Sequence, residues 1–224
     1  MMSDENVVEV DISELDTSDG PVTVSFVDEN NTVVIDTETL DTQSTAVVLT
    51  ISAIRFNRHG DGMGIGIDGG KLQEQGPHQL HVMVNVTEQL IHGRSVSAST
   101  AKWWREQSQD AKNSVINGDT MPVAEVMDLL TDFIGDSQVY CRGTDFDPPI
   151  LQSLYRMVGK KAPWKYNQVR DVRTYIDALS GGTKGYLEEW DQPEWLIPHH
   201  SLHDCIRDAM QMQQAGRPVA KAQG

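Results

Sequence analysis

The sequence predicts an α/β fold, a mixed sheet with helices on its faces. Three observations carry this. The β-branched run Thr32-Val33-Val34-Ile35-Asp36 reads as a buried strand. Two more strand-like stretches follow at residues 46–56 and 79–86. From residue 99 onward the pattern turns helical and alternates with one further strand, a meander followed by helix and strand in turn.

Each element has its own local signal. Residues 1–30 hold nine acids and no Lys or Arg and are rich in Ser, Asp and Thr, so they read as an extended acidic arm, with 21–27 as a candidate edge strand. In 79–86, Leu80, Val82, Val84 and Val86 alternate with His81, Met83 and Asn85, the period of a strand. Residues 60–76 contain seven glycines. Their GxGxGxG pattern suggests a phosphate cradle, but no helix opens after it, and a mobile hairpin connection is the simpler expectation. Ser99 or Thr100 is placed to cap a helix carrying Trp103 and Trp104. Asp119 or Thr120, with Pro122, opens a helix over 123–134, apolar at 123, 126, 127, 130, 133 and 134 and stopped by Gly135. A short strand at 138–142 precedes a helix from Pro148-Pro149 to about Val158. A last helix runs from Leu202 to about Met212, with Leu202, Cys205, Ile206 and Ala209 on one stripe. The chain from Gln213 reads as frayed. The expected organisation is an arm (1–30), one domain (31–213) and a flexible tail (214–224).

Composition bounds the function. The chain has 224 residues, 38% of them apolar, enough for one α/β core. Cys141 and Cys205 are far apart without CxxC spacing, which argues against a zinc site or a disulfide scaffold. No apolar run is long enough to span a bilayer, and the acidic N-terminus lacks the apolar core of a secretory signal. The expectation is a soluble cytoplasmic protein with no membrane partner. The formal net charge of −15 disfavours binding to phosphate. Beyond the arm, however, 24 acids face 18 bases, a charge of −6, and a carboxylate cluster holding cations would itself add acids. Net charge therefore decides nothing.

Three short segments carry the chemistry. Asp36-Thr37-Glu38 ends the first strand. Residues two apart on a strand share a face at about 7 Å, and two carboxylates there can grip a hard cation. Acids following an apolar run are costly to bury without one. In Gly143-Thr144-Asp145-Phe146-Asp147, Asp147 sits at a strand-to-helix junction, where an N-cap role before proline is the simple alternative. In His199-His200-Ser201-Leu202-His203-Asp204, Ser201 and Asp204 have capping-box spacing. Asp204 also falls in the first helical turn, with His199 on the entering loop, free to approach an ion held by Asp204. Four carboxylates and one histidine suit phosphodiester hydrolysis with two ions ~3.5–4 Å apart, one activating water and one stabilising the leaving oxygen, while a near-neutral histidine accepts the water's proton.

The stretch VVIDTETLDTQSTAVVLTISAIRF resembles the first motif of the DnaQ-like DEDD exonucleases, YCRGTDFD the second, and HHSLHD the third, the His-x4-Asp of the DEDDh branch. Trp103-Trp104 with Gln107 after Thr100 further resembles a subgroup of tailed-phage exonuclease A-type enzymes and a bacterial exoribonuclease. The similarity spans roughly 32–213. It implies an RNase H-like mixed five-stranded sheet flanked by helices and a 3′→5′ exonuclease that releases nucleoside 5′-monophosphates. It implies Asp36, Glu38, Asp147 and Asp204 as ligands of two Mg²⁺ or Mn²⁺ ions and His199 as general base. The sequence departs from the subgroup at His203, where a second Asp is frequent, at His200, where Asn is frequent, and at Asp145, where small residues are usual. His200 is thus a minor alternative base. Expected partners are single-stranded nucleic acid or 3′ ends of duplexes, with DNA slightly favoured over RNA, and a homodimer, since members of the wider family often pair.

Substrate contact is expected from Thr37, Thr39, Leu40, Trp103, Trp104 and Phe146. Leu40 as a wedge between terminal bases rests on the resemblance alone. Adjacent helical tryptophans point about 100° apart, so one belongs to the core and the other is free to stack on a base. Residues 155–173 carry six basic side chains, with Tyr155, Trp164 and Tyr166 interleaved, a pattern that can track a single strand. An ordinary solvated face is the competing explanation. The arm, if not merely solvated, would mask such a face or mimic nucleic acid.

Overall fold

In the computed structural model the described residues are 31–60, 63, 67–68, 71–72, 75–182 and 184–217. The acidic arm, its candidate strand at 21–27, part of the glycine-rich connection and residues 218–224 lie outside them. In chain order the elements are β1 (Thr32–Thr39), β2 (Val48–Phe56), the dipeptides β3 (Ile67–Asp68), β4 (Lys71–Leu72) and β5 (Gln75–Gly76), β6 (Gln79–Val84), α1 (Val86–Ile91), α2 (Ala98–Glu106), α3 (Gln109–Ile116), β7 (Thr120–Met121), α4 (Val123–Ile134), β8 (Gln138–Cys141), α5 (Asp147–Met157), β9 (Arg170–Asp171), α6 (Val172–Ser180) and α7 (Ser201–Gly216).

The main sheet runs β5-β6-β2-β1-β8-β9, with β7 beside β6. β2 pairs antiparallel with β1 and β6, whereas β8 is parallel to β1 and β9 parallel to β8. The strands read from the sequence are β1, β2, β6 and β8; the dipeptides β9, beside β8, and β5 and β7, beside β6, bring the described sheet to seven strands where five were expected. A strand covered on both faces needs apolar side chains on both. β1 shows this. Val33 and Ile35 pack with Val126, Met127, Leu130, Leu151 and Leu154 of α4 and α5. Val34 packs on the opposite face with Ile176 of α6 and Leu202, Ile206 and Ala209 of α7. The period of two then puts Asp36 and Glu38 on the α7 face and Thr37 on the α5 face.

Several local expectations are corrected. The helix carrying the tryptophans is capped by Ser97, whose hydroxyl accepts from Thr100 N, not by Ser99 or Thr100. Asp119 and Thr120 do not open α4. Thr120 pairs into the sheet, and Val123 N donates to Glu88 instead. The third strand ends at Val84, because Asn85 caps α1 by accepting from Glu88 N. Asp147 and Ser201 are the first residues of their helices, and neither caps one. The Ser201 hydroxyl bonds Ser52 at 2.7 Å and Thr50 at 2.9 Å, pinning the start of α7 to β2. Nor does the chain fray at Gln213: the last helix continues to Gly216, and Gln213 donates to Asn57 O. Tyr155 and Trp164 are core residues, stacked edge-on, so of the interleaved aromatics only Tyr166 is exposed. Both cysteines are buried and free.

The register of β1 against β2 shifts between Glu38 and Thr39, so that Glu38 opposes Thr50 and Thr39 opposes Val48. Such irregularities re-aim side chains beside functional sites. Here the fully buried Gln89 supports the shifted end. Its amide accepts from Val48 N at 2.8 Å and donates to Val48 O at 2.8 Å. Gln89→Ala leaves both backbone groups buried and unpaired, and the expected loss of stability is about 3 kcal/mol. Urea denaturation checks this, and an unchanged midpoint refutes it.

Candidate metal centre and adjoining groove

β1 and β8 are parallel neighbours, so their carboxyl ends lie side by side, where open α/β sheets place ligands. β1 brings Asp36, Thr37 and Glu38 to that end, and the turn after β8 brings Asp147. From the other face comes the first turn of α7, with Asp204, its N–H bonded to His200 O at 2.9 Å. The five residues singled out in the sequence thus meet at one end of the sheet, supplied by both faces.

Their environment explains why carboxylates are held there. Glu38, His199 and Asp204 offer ligand atoms that all lie within 4.8 Å of one another. Asp147 is almost wholly buried, and its Oδ1 accepts from Thr37 N at 3.1 Å and from the Thr37 hydroxyl at 2.7 Å. Burial pushes the Asp147 carboxyl up to about 7, against the lowering effect of those two bonds. Asp36 is raised well above the usual carboxylate range, first by burial and then by the charges of Asp147, Asp204 and Glu38. Glu38 is raised by burial and by Asp204 and Asp147, and the nearby Arg207 partly opposes this. Asp204 is raised by burial, with Arg207 again opposing. Carboxylates that repel one another in a desolvated pocket lack positive charge, and hard oxygen donors with one imidazole in reach are a donor set that fits a divalent cation.

His199 adopts a left-handed backbone, φ 63°, and apart from Lys184 it is the only such non-glycine among the described residues. That conformation is uncommon for a side chain with a Cβ and clusters at functional sites. It turns the imidazole toward Glu38 and Asp204, where the Trp103 ring meets it edge-on at 4.7 Å. His200, the alternative base, stacks instead on His203 at 4.1 Å and lies 4.8 Å from His81. Burial drives His200 down to about 3.

Beside the carboxylates lies a groove of about 450 Å³ lined by Thr37, Glu38, Thr39, Asp41, Thr42, Ser99, Thr100, Trp103 and Phe146. Four of the six expected contact residues line it: Thr37, Thr39, Trp103 and Phe146. The other two do not. The Trp104 indole is buried and donates to Thr39 O at 2.9 Å, so of the pair it is the core residue and Trp103 the exposed one. Leu40 is half-buried against the small cluster of Leu49, Trp104, Ala111 and Val115. Thr37 has a further part, since its hydroxyl is the anchor of Asp147.

The sequence reading missed a chain of charges behind Asp204. Arg207 donates to Asp204 Oδ1 at 2.6 Å and to Asp208 Oδ1 at 3.0 Å. The buried Asp208 is also held by Arg142 Nε, which donates to its Oδ1 at 2.9 Å and to its Oδ2 at 3.0 Å. Arg142 in turn donates to Gly185 O and lies over the Tyr186 ring. The only signal in the sequence is that 207 and 208 fall three and four residues after Asp204, one helical turn away.

Known proteins share this architecture. The nuclease domain of 3′hExo, a DEDDh family member solved with bound rAMP, aligns with a TM-score of 0.54 at 13% identity, over 85% of this chain and 93% of its own. The RNase domain of yeast Pop2 aligns with a TM-score of 0.51 at 12% identity, over 83% of this chain and 76% of its own. At these identities the likeness is one of fold. In sequence, the exodeoxyribonuclease of Enterobacteria phage T4 is 27% identical over 213 residues, 82% of this chain and 88% of the phage protein. The family model described as a 3′-5′ exoribonuclease Rv2179c-like domain matches residues 31–215, nearly the whole described fold. The chain therefore belongs to the Rv2179c-like family of 3′-5′ exoribonuclease domains, and it is a 3′→5′ exonuclease.

Proposed function

We propose that the chain is a Mg²⁺- or Mn²⁺-dependent exonuclease that removes nucleoside 5′-monophosphates from DNA 3′ ends, with single strands entering the groove beside Trp103. The observation that carries this reading is the meeting of Glu38, His199 and Asp204 within 4.8 Å at the sheet end that also bears Asp36 and Asp147. Asp36, Glu38, Asp147 and Asp204 are the proposed holders of two ions. When bound, the ions supply positive charge to the attacking and leaving oxygens of the phosphodiester. His199 receives the proton of the attacking water at its imidazole nitrogen. Thr37 orients Asp147, Trp103 stacks on a terminal base, and Thr39 and Phe146 shape the groove. DNA is favoured by the extent of the similarity to the phage T4 exodeoxyribonuclease. The same relative supports the host cytoplasm as the place of action. RNA is the second reading, favoured by the description of the family.

Digestion of 3′- and 5′-labelled single strands of DNA and of RNA in Mg²⁺ tests the proposal. Loss of label from the 3′ end, faster on DNA, is expected. Asp36→Ala is expected to lower the rate by at least about a thousandfold, the scale on which transition-state charge stabilisation is lost. Equal rates for variant and wild type sink the reading, and a faster rate on RNA replaces DNA with RNA. His199→Ala is expected to remove a general-base contribution of about 10²–10⁴-fold.

Metal affinity should depend on pH. Only deprotonated carboxylates bind a cation. Asp147 reaches about 7, so at pH 6 an arriving ion must displace a proton from it that is largely gone at pH 8, and the raised Asp36 and Glu38 push in the same direction. Apparent Mn²⁺ affinity is expected to rise from pH 6 to 8, with proton release that shrinks over the same range. Calorimetry in buffers of different ionisation enthalpy measures both, and a flat profile contradicts the assignment. Trp103→Ala should weaken single-strand binding by about 1–3 kcal/mol, the worth of one stacked base. This is expected in KM rather than kcat, and an unchanged KM removes Trp103 from the substrate path.

A further inference from the structure

We infer that Arg207 is a positioning residue that acts as the resident counter-charge of the metal centre: it holds Asp204 while no ion is bound and thereby sets how tightly the centre takes up a divalent cation. The inference rests on the two-ion reading proposed above. The charges of Glu38, Asp147, Asp204 and Asp208 all reach Asp36 at this end of the sheet. Among the described residues, Arg207 is the cation paired with one of the four proposed ligands. Its Nη1 lies 2.6 Å from Asp204 Oδ1, with both side chains largely buried.

The rest of the network aims this guanidinium. Arg207 Nε and Nη2 each sit 3.0 Å from Asp208 Oδ1. Asp208 cannot swing away, because Arg142 Nε holds both its oxygens at 2.9 and 3.0 Å. Arg142 is fixed by its bond to Gly185 O and by the Tyr186 ring at 4.1 Å. Two guanidiniums and one buried anion thus form a relay from the 185–186 turn to Asp204. A surface ion pair would not need such backing, since exposed pairs contribute little and tolerate loose geometry. A guanidinium fixed from behind presents its remaining N–H groups in one direction.

Two consequences follow. Before metal arrives, Arg207 offsets part of the repulsion among the carboxylates, and so favours the folded, ligand-ready arrangement. Once a cation approaches, the same positive charge opposes it and competes for Asp204 Oδ1. Arg207 therefore lowers ion affinity while keeping Asp204 in place, which suits a centre whose ions must be exchangeable.

The experiment measures Mn²⁺ binding to the purified full chain without nucleic acid, by calorimetry and by the electron paramagnetic resonance signal of free Mn²⁺. Thermal melts are run with and without Mn²⁺. Arg207→Gln, which removes the charge, is expected to bind Mn²⁺ about tenfold more tightly, to melt at lower temperature without metal, and to gain more in melting temperature on loading than wild type does. Arg207→Lys, which keeps the charge and loses the fork, should stay within about threefold of wild type. Unchanged or weaker Mn²⁺ binding by Arg207→Gln overturns the inference, as does Arg207→Lys binding as tightly as Arg207→Gln. If Arg207→Gln does not fold in metal-free buffer, a cooperative melt restored by Mn²⁺ supports the inference, and no restoration at saturating Mn²⁺ overturns it. Wild type that binds no Mn²⁺ at all removes the two-ion reading itself, a result distinct from the others.

Discussion

Negative charge crowded into a desolvated space is the constraint on which this molecule turns. Carboxylates at the ends of β1 and β8 and on α7, Glu38 and Asp147 buried and Asp36 and Asp204 half-buried, are poorly solvated and raise one another's affinity for protons. A fold keeps such a cluster only where something positive answers it. Asp147 answers part of the demand with the hydroxyl and N–H of Thr37, and Asp204 with Arg207. Asp36 and Glu38 keep strongly raised proton affinities, and that residual demand is what a divalent ion would meet. The apolar layers on both faces serve this arrangement by fixing β1 between α5 and α7.

Much of this was legible in the sequence because it breaks local rules. Acids that end an apolar strand, or that stand at a strand-to-helix junction, attract notice because burial penalises them. Asp36, Glu38 and Asp147 stood out this way, Asp204 by its place in a first helical turn with His199 on the entering loop, and the three segments do converge. The capping roles expected for Asp147 and Ser201 were natural from spacing. Tertiary bonds displaced them, to Thr37 in one case and to Thr50 and Ser52 in the other. The sheet was legible for a similar reason: strands buried on both faces give long β-branched runs.

What stayed hidden lacks such a signature. Arg207 and Asp208 look like ordinary charges on a helix, and only the packing of α7 against the sheet turns them inward. Adjacent indoles at 103 and 104 cannot be told apart by composition, and the bond from Trp104 to Thr39 O decides between them. Leu40, half-buried, packs against a side cluster with Leu49 and Trp104, a placement that its sequence does not announce. The short helices α1, α3 and α6 have six to nine residues each, too few for periodicity to speak.

The carboxylates come from opposite layers, and the last of them lies close to the C-terminal end of the fold. No partial assembly of the chain, neither the sheet with α4 and α5 nor the meander alone, contains the full constellation. A chain being synthesised thus gathers the whole carboxylate cluster only once α7 has emerged and docked on β1 and β2. On the two-ion reading, the order of synthesis withholds a complete centre until the fold is nearly finished.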